Sequence, residues 1–90
     1  MKLDYKLISF LVRGKRRKKV LFSLQKPRMP KQSADECKIN LPNVSIALSE
    51  LLKKGLIKCM TPNEKFFRFY TIAKKGQIAI KHLEKYNGNP

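Results

Sequence analysis

LPNVSIALSELLKKG, residues 41–55, is the segment around which we expect the rest of the chain to be organised. Its apolar side chains recur at three- and four-residue steps, which puts them on one face of a helix. These residues are Val44, Ala47, Leu48, Leu51 and Leu52. Pro42 suits the first helical turn, where a missing N–H costs nothing, and Gly55 suits a left-handed stop. The segment therefore predicts an amphipathic helix with a defined beginning and end.

The opposite face of this helix is mostly short and polar. It carries Asn43, Ser45, Ile46, Ser49 and Lys53. A helix that buries one side and offers short polar side chains on the other can lie in the major groove of DNA. An ordinary amphipathic surface helix has the same pattern, so this segment alone leaves both interpretations open.

Composition favours a polyanion as the partner. The chain has 90 residues, which indicates one small domain with a modest core. Its 21 Lys+Arg against 6 Asp+Glu give a formal net charge of +15. A compact domain with this charge attracts nucleic acid first and an anionic membrane surface second. Ribosomal and chromatin proteins share this balance, so charge selects a polyanion without naming one.

A run of five cations, Lys15 to Lys19, opens a helix that we predict over Lys15–Gln25. This helix would bury the stem of Arg17 and the side chains of Val20, Leu21 and Leu24. Cations in the first turns oppose the helix dipole, which suggests that an anion such as phosphate binds nearby. A solvated charge run, or one long helix bridging Gly14, is the alternative.

The other elements follow from apolar periodicity, β-propensity and turn residues. We expect helices at Leu3–Val12, capped by Asp4, at Pro30–Cys37 and at Ala73–Tyr86. Lys38–Asn40 links the second of these to the helix of residues 41–55. Leu56–Met60 and Phe66–Thr71 are the predicted strands of a hairpin, with Thr61–Lys65 as its turn. Two short helices joined by so few residues make a helix-turn-helix. Residues 1–86 are thus predicted to form one domain, and residues 87–90 a disordered tail.

Three segments carry a resemblance to a known family: ISFLVRGKRRKKVLFSL (8–24), NVSIALSELLKKGLIKC (43–59) and RFYTIAKKG (68–76). In these segments the chain resembles the archaeal winged-helix transcriptional regulators related to the MarR superfamily. The resemblance implies a mainly α fold with a small β-hairpin, α+β, with additional N- and C-terminal helices. It also implies that the second helix of the helix-turn-helix enters the major groove. The hairpin, or wing, would contact the backbone or the adjacent minor groove, and the terminal helices would pair two subunits.

Four residues depart from the family pattern. Lys38 replaces a turn Gly, so a non-Gly residue is expected in the left-handed conformation at a cost of ~1 kcal/mol. Ser33 replaces a branched aliphatic residue, which predicts loose packing of its helix. Ala73 replaces a capping Thr, a loss of roughly 1 kcal/mol. Ile46 replaces a basic, base-reading residue, which puts base-specific readout in doubt but leaves backbone binding intact.

The combined prediction is a sequence-reading or semi-specific double-stranded DNA-binding protein that regulates transcription. The predicted DNA-binding residues are Lys15, Arg16, Lys18 and Lys19 at phosphates, Asn43, Ser45, Ile46 and Ser49 at bases, and Lys53, Lys65 and Arg68 beside them. An RNA- or ribosome-binding winged helix is the second interpretation, with Phe66, Phe67, Phe69 and Tyr70 as a stacking platform. Alternate residues on a half-buried hairpin are normally core, however. A non-specific DNA-coating protein is a further alternative. The charge argues against a winged helix that binds another protein, because protein interfaces are depleted in lysine.

The residue types that catalysis needs do not occur at usable spacing, so we expect no enzyme activity and no cofactor. Cys37 and Cys59 are predicted to be small buried thiols in a reduced cytosol, and a single histidine, His82, leaves a zinc site short of ligands. We predict a cytoplasmic, nucleoid-associated protein without a membrane span. Apolar surface on the two terminal helices predicts a homodimer.

Overall fold

The computed structural model describes residues 5–87 and confirms the predicted fold class. Its elements are α1 (Tyr5–Arg13), α2 (Lys15–Ser23), α3 (Pro30–Cys37), α4 (Leu41–Lys53), β1 (Ile57–Cys59), β2 (Tyr70–Ile72) and α5 (Lys74–Asn87). Helices α3 and α4 form the helix-turn-helix, and the hairpin follows as the wing. The capping role predicted for Asp4, the contribution of Leu3 and residues 88–90 of the predicted tail lie outside the described residues. Asn87, which was assigned to the tail, is the last residue of α5.

Helix α2 ends at Ser23, two residues before the predicted end at Gln25. The cause is a long-range backbone contact. The carbonyl of Leu24 accepts a hydrogen bond of 2.8 Å from the N–H of Ile72, and the hydroxyl of Thr71 lies 3.4 Å from the same oxygen. The backbone at Leu24 therefore pairs with β2 instead of continuing the helix.

The turn between α3 and α4 has the conformation expected from its sequence. Lys38 is the C-cap of α3 and lies in the left-handed region with φ 58° and ψ 43°. Asn40 is the N-cap of α4, and its Oδ1 accepts a 3.1 Å hydrogen bond from the N–H of Asn43. This cap was not anticipated from the sequence. At the other end Gly55 has φ 72°, as the predicted left-handed stop requires.

Helix α4 buries four of the five predicted core residues: Val44, Ala47, Leu48 and Leu51. Leu52 is exposed, so its assignment to the core was wrong. At 100° per residue, Leu52 lies about 90° from the centre of the buried face, at its border. The core also takes apolar side chains from the other elements, among them Leu7, Leu11, Val20, Leu21, Leu24, Leu56, Ile72, Ala79 and Leu83.

The hydroxyls of Ser33 and Ser23 form a buried polar pair between α3 and α2. Both residues are almost completely buried, and their Oγ atoms lie 3.0 Å apart. The hydroxyl of Ser23 also lies 2.6 Å from the carbonyl oxygen of Val20. A hydrogen-bonded contact thus stands where the resemblance predicts an aliphatic side chain.

The two strands of the wing are shorter than predicted. Strands β1 and β2 are antiparallel and pair Ile57 with Ile72 and Cys59 with Tyr70. The predicted second strand began at Phe66, but the observed one begins at Tyr70. Arg28 forms a bridge on the other side of β2, because its N–H and C=O both bond to Tyr70 at 2.9 Å. The segment before α3 therefore lies beside the hairpin like a third strand.

Helix α5 begins at Lys74, one residue later than predicted, and packs closely on the chain before the wing. Ala79 and Leu83 are buried and Ile78 is half-buried, while the side chain of Tyr86 lies outside the described part. Gly76 is buried near the start of α5. A Cβ at this position would lie 2.2 Å from the backbone oxygen of Leu56, which leaves no space for any other residue.

Candidate nucleic-acid interface

The outer face of α4 is exposed along its length. Ser45 and Ser49 are exposed, and the side chain of Ile46 is 57% exposed. Asn43 is half-buried because it lies in the capped first turn of the helix. These short side chains would allow a groove of DNA to approach the helix backbone closely.

The basic run divides between two grooves, because successive residues of helix α2 point in different directions. One groove, between α2 and α4, is lined by Lys15 and Arg16 together with Arg13, Asn43 and Ile46. In this groove two of the four predicted phosphate-binding cations, Lys15 and Arg16, lie next to the predicted base-reading face of α4. Arg13 is a cation that the sequence reasoning missed, and its position directly before Gly14 and the run was the available signal.

The second groove lies between α2 and α3 and takes the other two cations. It is lined by Lys18 and Lys19 with Lys38, Cys37 and Glu36. The four cations expected to act together therefore face two sides of α2. Only the pair at the helix N-terminus lies beside Asn43 and Ile46.

Arg17 is directed inwards and joins three helices. Its Nε lies 2.9 Å from Glu50 Oε1 on α4, and its Nη1 donates a 2.8 Å hydrogen bond to the carbonyl of Phe10 on α1. Its guanidinium carbon also lies 4.1 Å from the centre of the Phe10 ring, a cation–π contact. Arg17 thus links α1, α2 and α4. Its side chain also lines the groove of Lys15 and Arg16, but its Nε and Nη1 are engaged within the protein. The role of Glu50 was not anticipated.

Lys53 lies away from the groove of Asn43, at the other end of α4. Ten residues of helix separate the two, about 15 Å along the axis. Lys53 lines a small groove with Leu7 and three further lysines, Lys6, Lys54 and Lys75. The structure therefore does not bring Lys53 together with Asn43.

Arg68 braces the wing loop. Its Nε donates to the hydroxyl of Tyr70 at 3.1 Å, and its Nη1 donates to the carbonyl of Glu64 at 3.1 Å. The hydrogen bond with Tyr70 raises the pKa of the Arg68 guanidinium above its usual value. Lys65, the other predicted wing cation, is exposed. Of the two, Lys65 projects into solvent while Arg68 has two of its donors engaged within the loop.

Two aromatic residues of the wing are exposed. Phe66 is 86% and Phe67 is 68% exposed, whereas Tyr70 is buried and Phe69 half-buried. The expectation that the hairpin aromatics belong to the core is confirmed for Tyr70 and wrong for Phe66 and Phe67. The physical reason is the late start of β2, which leaves both rings in the loop beyond the sheet.

The cysteines are free, as predicted, but half-buried where the sequence predicted buried thiols. Cys37 Sγ donates to the carbonyl of Lys19 at 3.4 Å, and burial raises the pKa of this thiol above its ordinary value. A raised pKa keeps the thiol protonated and weakens it as a nucleophile or metal ligand. Across residues 5–87, no three potential metal ligands lie close enough to hold an ion. No helix in the same range is long and apolar enough to cross a membrane.

Solved structures with the same fold include a protein bound to DNA and a MarR family regulator. TubR bound to 24 bp of tubC from Bacillus thuringiensis serovar israelensis is similar with a TM-score of 0.80, 12% identity and coverage of 96% of this chain and 98% of that one. A homodimeric winged helix-turn-helix domain from Mycobacterium bovis, Mb0332, has a TM-score of 0.60, 22% identity and coverage of 92% and 84%. NMB1585, a MarR family regulator from Neisseria meningitidis, has a TM-score of 0.72, 19% identity and coverage of 90% and 59%.

At these identities the likeness establishes a winged-helix fold shared with MarR-type regulators. No family model matches the sequence, and no curated protein matches it significantly. None of these three source organisms is an archaeon, so the archaeal part of the resemblance stays a prediction. The chain spans only 59% of the length of the Neisseria regulator.

Proposed function

We propose that this protein binds double-stranded DNA as a transcriptional regulator and has no catalytic activity. The observation that carries the proposal is the groove between α2 and α4. There, three cations that precede or open α2 lie next to the exposed face of a capped helix-turn-helix helix. A net charge of +15 and the shared fold with TubR, whose structure contains tubC DNA, support the same function.

In the proposed complex, α4 lies in the major groove and its cationic border holds the phosphates. Lys15, Arg16 and Arg13 contact the backbone at the N-terminal end of α2, where the helix dipole also favours an anion. Ser45 and Ser49 reach base edges or phosphates, and Ile46 packs on a thymine methyl. Ser and Ile discriminate bases less strongly than a bidentate Arg does, so we expect semi-specific rather than stringent recognition.

The proposed assembly is a homodimer formed through α1 and α5. Two copies would present their α4 helices to half-sites about one helical turn apart. The exposed Tyr5 and Val12 on α1 leave apolar surface for such a contact, and the Mb0332 domain of the same fold is homodimeric. Light scattering at tens of micromolar protein tests this part, and a monomer with and without DNA would reject it. We place the protein with the nucleoid in the cytoplasm, in keeping with its proposed partner.

A salt titration tests the function directly. With about 5–8 phosphate contacts, affinity for duplex DNA should fall with a log–log salt slope of about −4 to −7. Single-stranded DNA and structured RNA at matched salt serve as comparisons. A slope near zero, or tighter binding to structured RNA than to duplex, would contradict the proposal and favour an RNA-binding winged helix.

Two sets of variants separate backbone binding from base readout. Neutralising Lys15 and Arg16 should weaken binding to all duplexes alike and flatten the salt slope by about one unit per lost contact. Replacing Ser45 and Ser49 with Ala should change the ratio of affinities for preferred and random DNA more than it changes the slope. An unchanged ratio would instead indicate a non-specific DNA-coating protein.

A further inference from the structure

The tip of the wing holds two exposed aromatic rings in a fixed loop. Phe66 and Phe67 are among the most exposed large apolar residues of the described chain. Fully burying a Phe side chain is worth about 1.5–3 kcal/mol, so a contact that covers the two neighbouring rings would gain this free energy. An exposed apolar pair of this kind indicates a contact in a complex.

The loop is not loosely held. The hydroxyl of Thr61 accepts a 3.0 Å hydrogen bond from the N–H of Phe69 and donates a 3.2 Å bond to the carbonyl of Phe67. The Met60 N–H donates to the Phe69 carbonyl at 2.7 Å, which extends the ladder beyond β1. Together with the Arg68 brace, these bonds position the two rings away from the core. Their exposure is therefore a property of the folded loop.

The surroundings of the rings favour a polyanion over a protein partner. Lys65 and Arg68 flank the two phenylalanines directly, and Lys58 on β1 is exposed on the same hairpin. Residues 58–68 contain these three cations and one carboxylate, Glu64, so the segment has a net positive charge. Protein interfaces are depleted in lysine, whereas proteins that insert apolar side chains between DNA base pairs combine them with cations at the phosphates.

The connection to α4 sets where the rings would act. The short link between α4 and β1 is fixed by two backbone hydrogen bonds: Leu56 N–H to the Leu51 carbonyl at 3.1 Å and Ala73 N–H to the Leu56 carbonyl at 2.9 Å. The wing thus has a set direction relative to α4. With α4 in the major groove, the wing tip would meet the DNA that flanks the site.

We propose that Phe66 and Phe67 form an apolar wedge that inserts at a base step of duplex DNA from the minor groove and kinks it. The inference rests on the proposed DNA-binding function and adds a deformation of the DNA to it. Wedges of this type partially unstack one step and bend the duplex by about 20–90°. Pyrimidine–purine steps, which unstack most easily, would then be favoured at a position that α4 never touches.

The test uses the full chain and a duplex of about 30 base pairs labelled at both ends for energy transfer. The same duplex carries 2-aminopurine at successive positions beside the binding site, because this base becomes brighter when it unstacks. Wild-type protein should shorten the end-to-end distance and brighten one position. Phe66→Ser/Phe67→Ser should lose both signals and about tenfold in affinity, with an unchanged salt slope because no cation is removed.

Two control variants make the outcome decisive. Phe66→Leu/Phe67→Leu keeps an apolar wedge and should retain most of the bend. Lys65→Ala should reduce the salt slope by about one unit and keep the bend. The circular dichroism spectra of all variants should match the wild type, since both rings lie outside the core.

Three results would overturn the inference. The first is duplex binding by the wild type without bending or brightening, which leaves the proposed function intact. The second is an unchanged bend in the serine variant. The third is that the serine substitutions abolish self-association or binding to unpaired RNA, which would assign the rings to a protein contact or a base-stacking platform. Failure to bind duplex at all would reject the proposed function together with the wedge.

Discussion

Arg16 and Arg17 are adjacent in sequence, but replacing each with Met should have different effects: the Arg17 substitution should reduce stability, and the Arg16 substitution should reduce DNA binding. Arg17→Met removes a hydrogen bond from a charged donor to the Phe10 carbonyl, worth about 1.5–3 kcal/mol, and a cation–π contact worth about 0.5–1 kcal/mol. The ion pair with Glu50 adds little, because the two side chains are 27% and 37% exposed and solvent screens them. We therefore expect a loss of about 3 kcal/mol in the free energy of unfolding.

For a domain of this size the loss corresponds to a fall in Tm of roughly 12–24 °C. Arg16→Met is the matched control, because it removes the same charge from an exposed neighbour and should cost no more than about 0.5 kcal/mol. Urea unfolding followed by far-UV circular dichroism measures both variants.

In DNA binding, Arg16→Met should have the larger effect of the two variants. Arg16→Met should reduce the salt slope by about one unit, and Arg17→Met, measured well below its Tm, should leave the slope unchanged. Equal stabilities of the two variants would refute the structural role of Arg17. A reduced salt slope in Arg17→Met would show that its guanidinium reaches a phosphate, contrary to its contacts with Glu50 and Phe10.

Three further substitutions test other parts of the molecule. Gly76→Ala should lower the free energy of unfolding by about 2 kcal/mol, because the clash with the Leu56 carbonyl outweighs the gain in helix propensity. Gln77→Ala is the control: it lies at an exposed neighbouring position and should be nearly neutral in the same urea experiment. Lys38→Gly should stabilise by about 0.5–1 kcal/mol by relieving the left-handed strain, and a lower urea midpoint would contradict this. Ile46→Arg should raise affinity for all duplexes and steepen the salt slope, and unchanged binding would place Ile46 outside the interface.

The parts of the fold that sequence reasoning predicted well are those set by local chemistry. The bounds of α3 and α4 follow from signals next to each helix end: Pro30 and Pro42 lie in the first turns, and Gly55 lies just after the end of α4. The left-handed Lys38 was predicted from the resemblance instead, because the resemblance places a turn Gly at that position.

The errors arise where distant residues decide the outcome. β-Propensity alone extends the second strand back to Phe66, but the ladder needs partners, and Tyr70 is where β2 meets both Cys59 and Arg28. The end of α2 is similarly determined by Ile72, almost fifty positions away along the chain. Neither pairing leaves a periodic signal in the sequence.

The candidate interface was predicted in composition but not in arrangement. Cations, short polar residues and a wing were all expected, and the sequence cannot show that Arg17 turns towards Glu50 while Lys15 lies beside Asn43. Which cation of a basic run faces outwards depends on the orientation of the helix about its own axis relative to its neighbours. That rotation is a result of core packing, which only the folded structure displays.

The bridge between Arg28 and Tyr70 has a consequence for how the protein behaves at high concentration. A two-stranded hairpin normally offers unpaired N–H and C=O groups on both outer sides, and such groups recruit strands from other molecules. Here the N–H and C=O of Tyr70 that would face a neighbour already bond to Arg28, and the next N–H on that side, of Ile72, bonds to Leu24. The outer side of β2 is thus closed to strand addition. A protein this rich in positive charge is concentrated along any polyanion it coats, and the outer side of β2 offers neighbouring copies there no free N–H at Tyr70 or Ile72 to pair with.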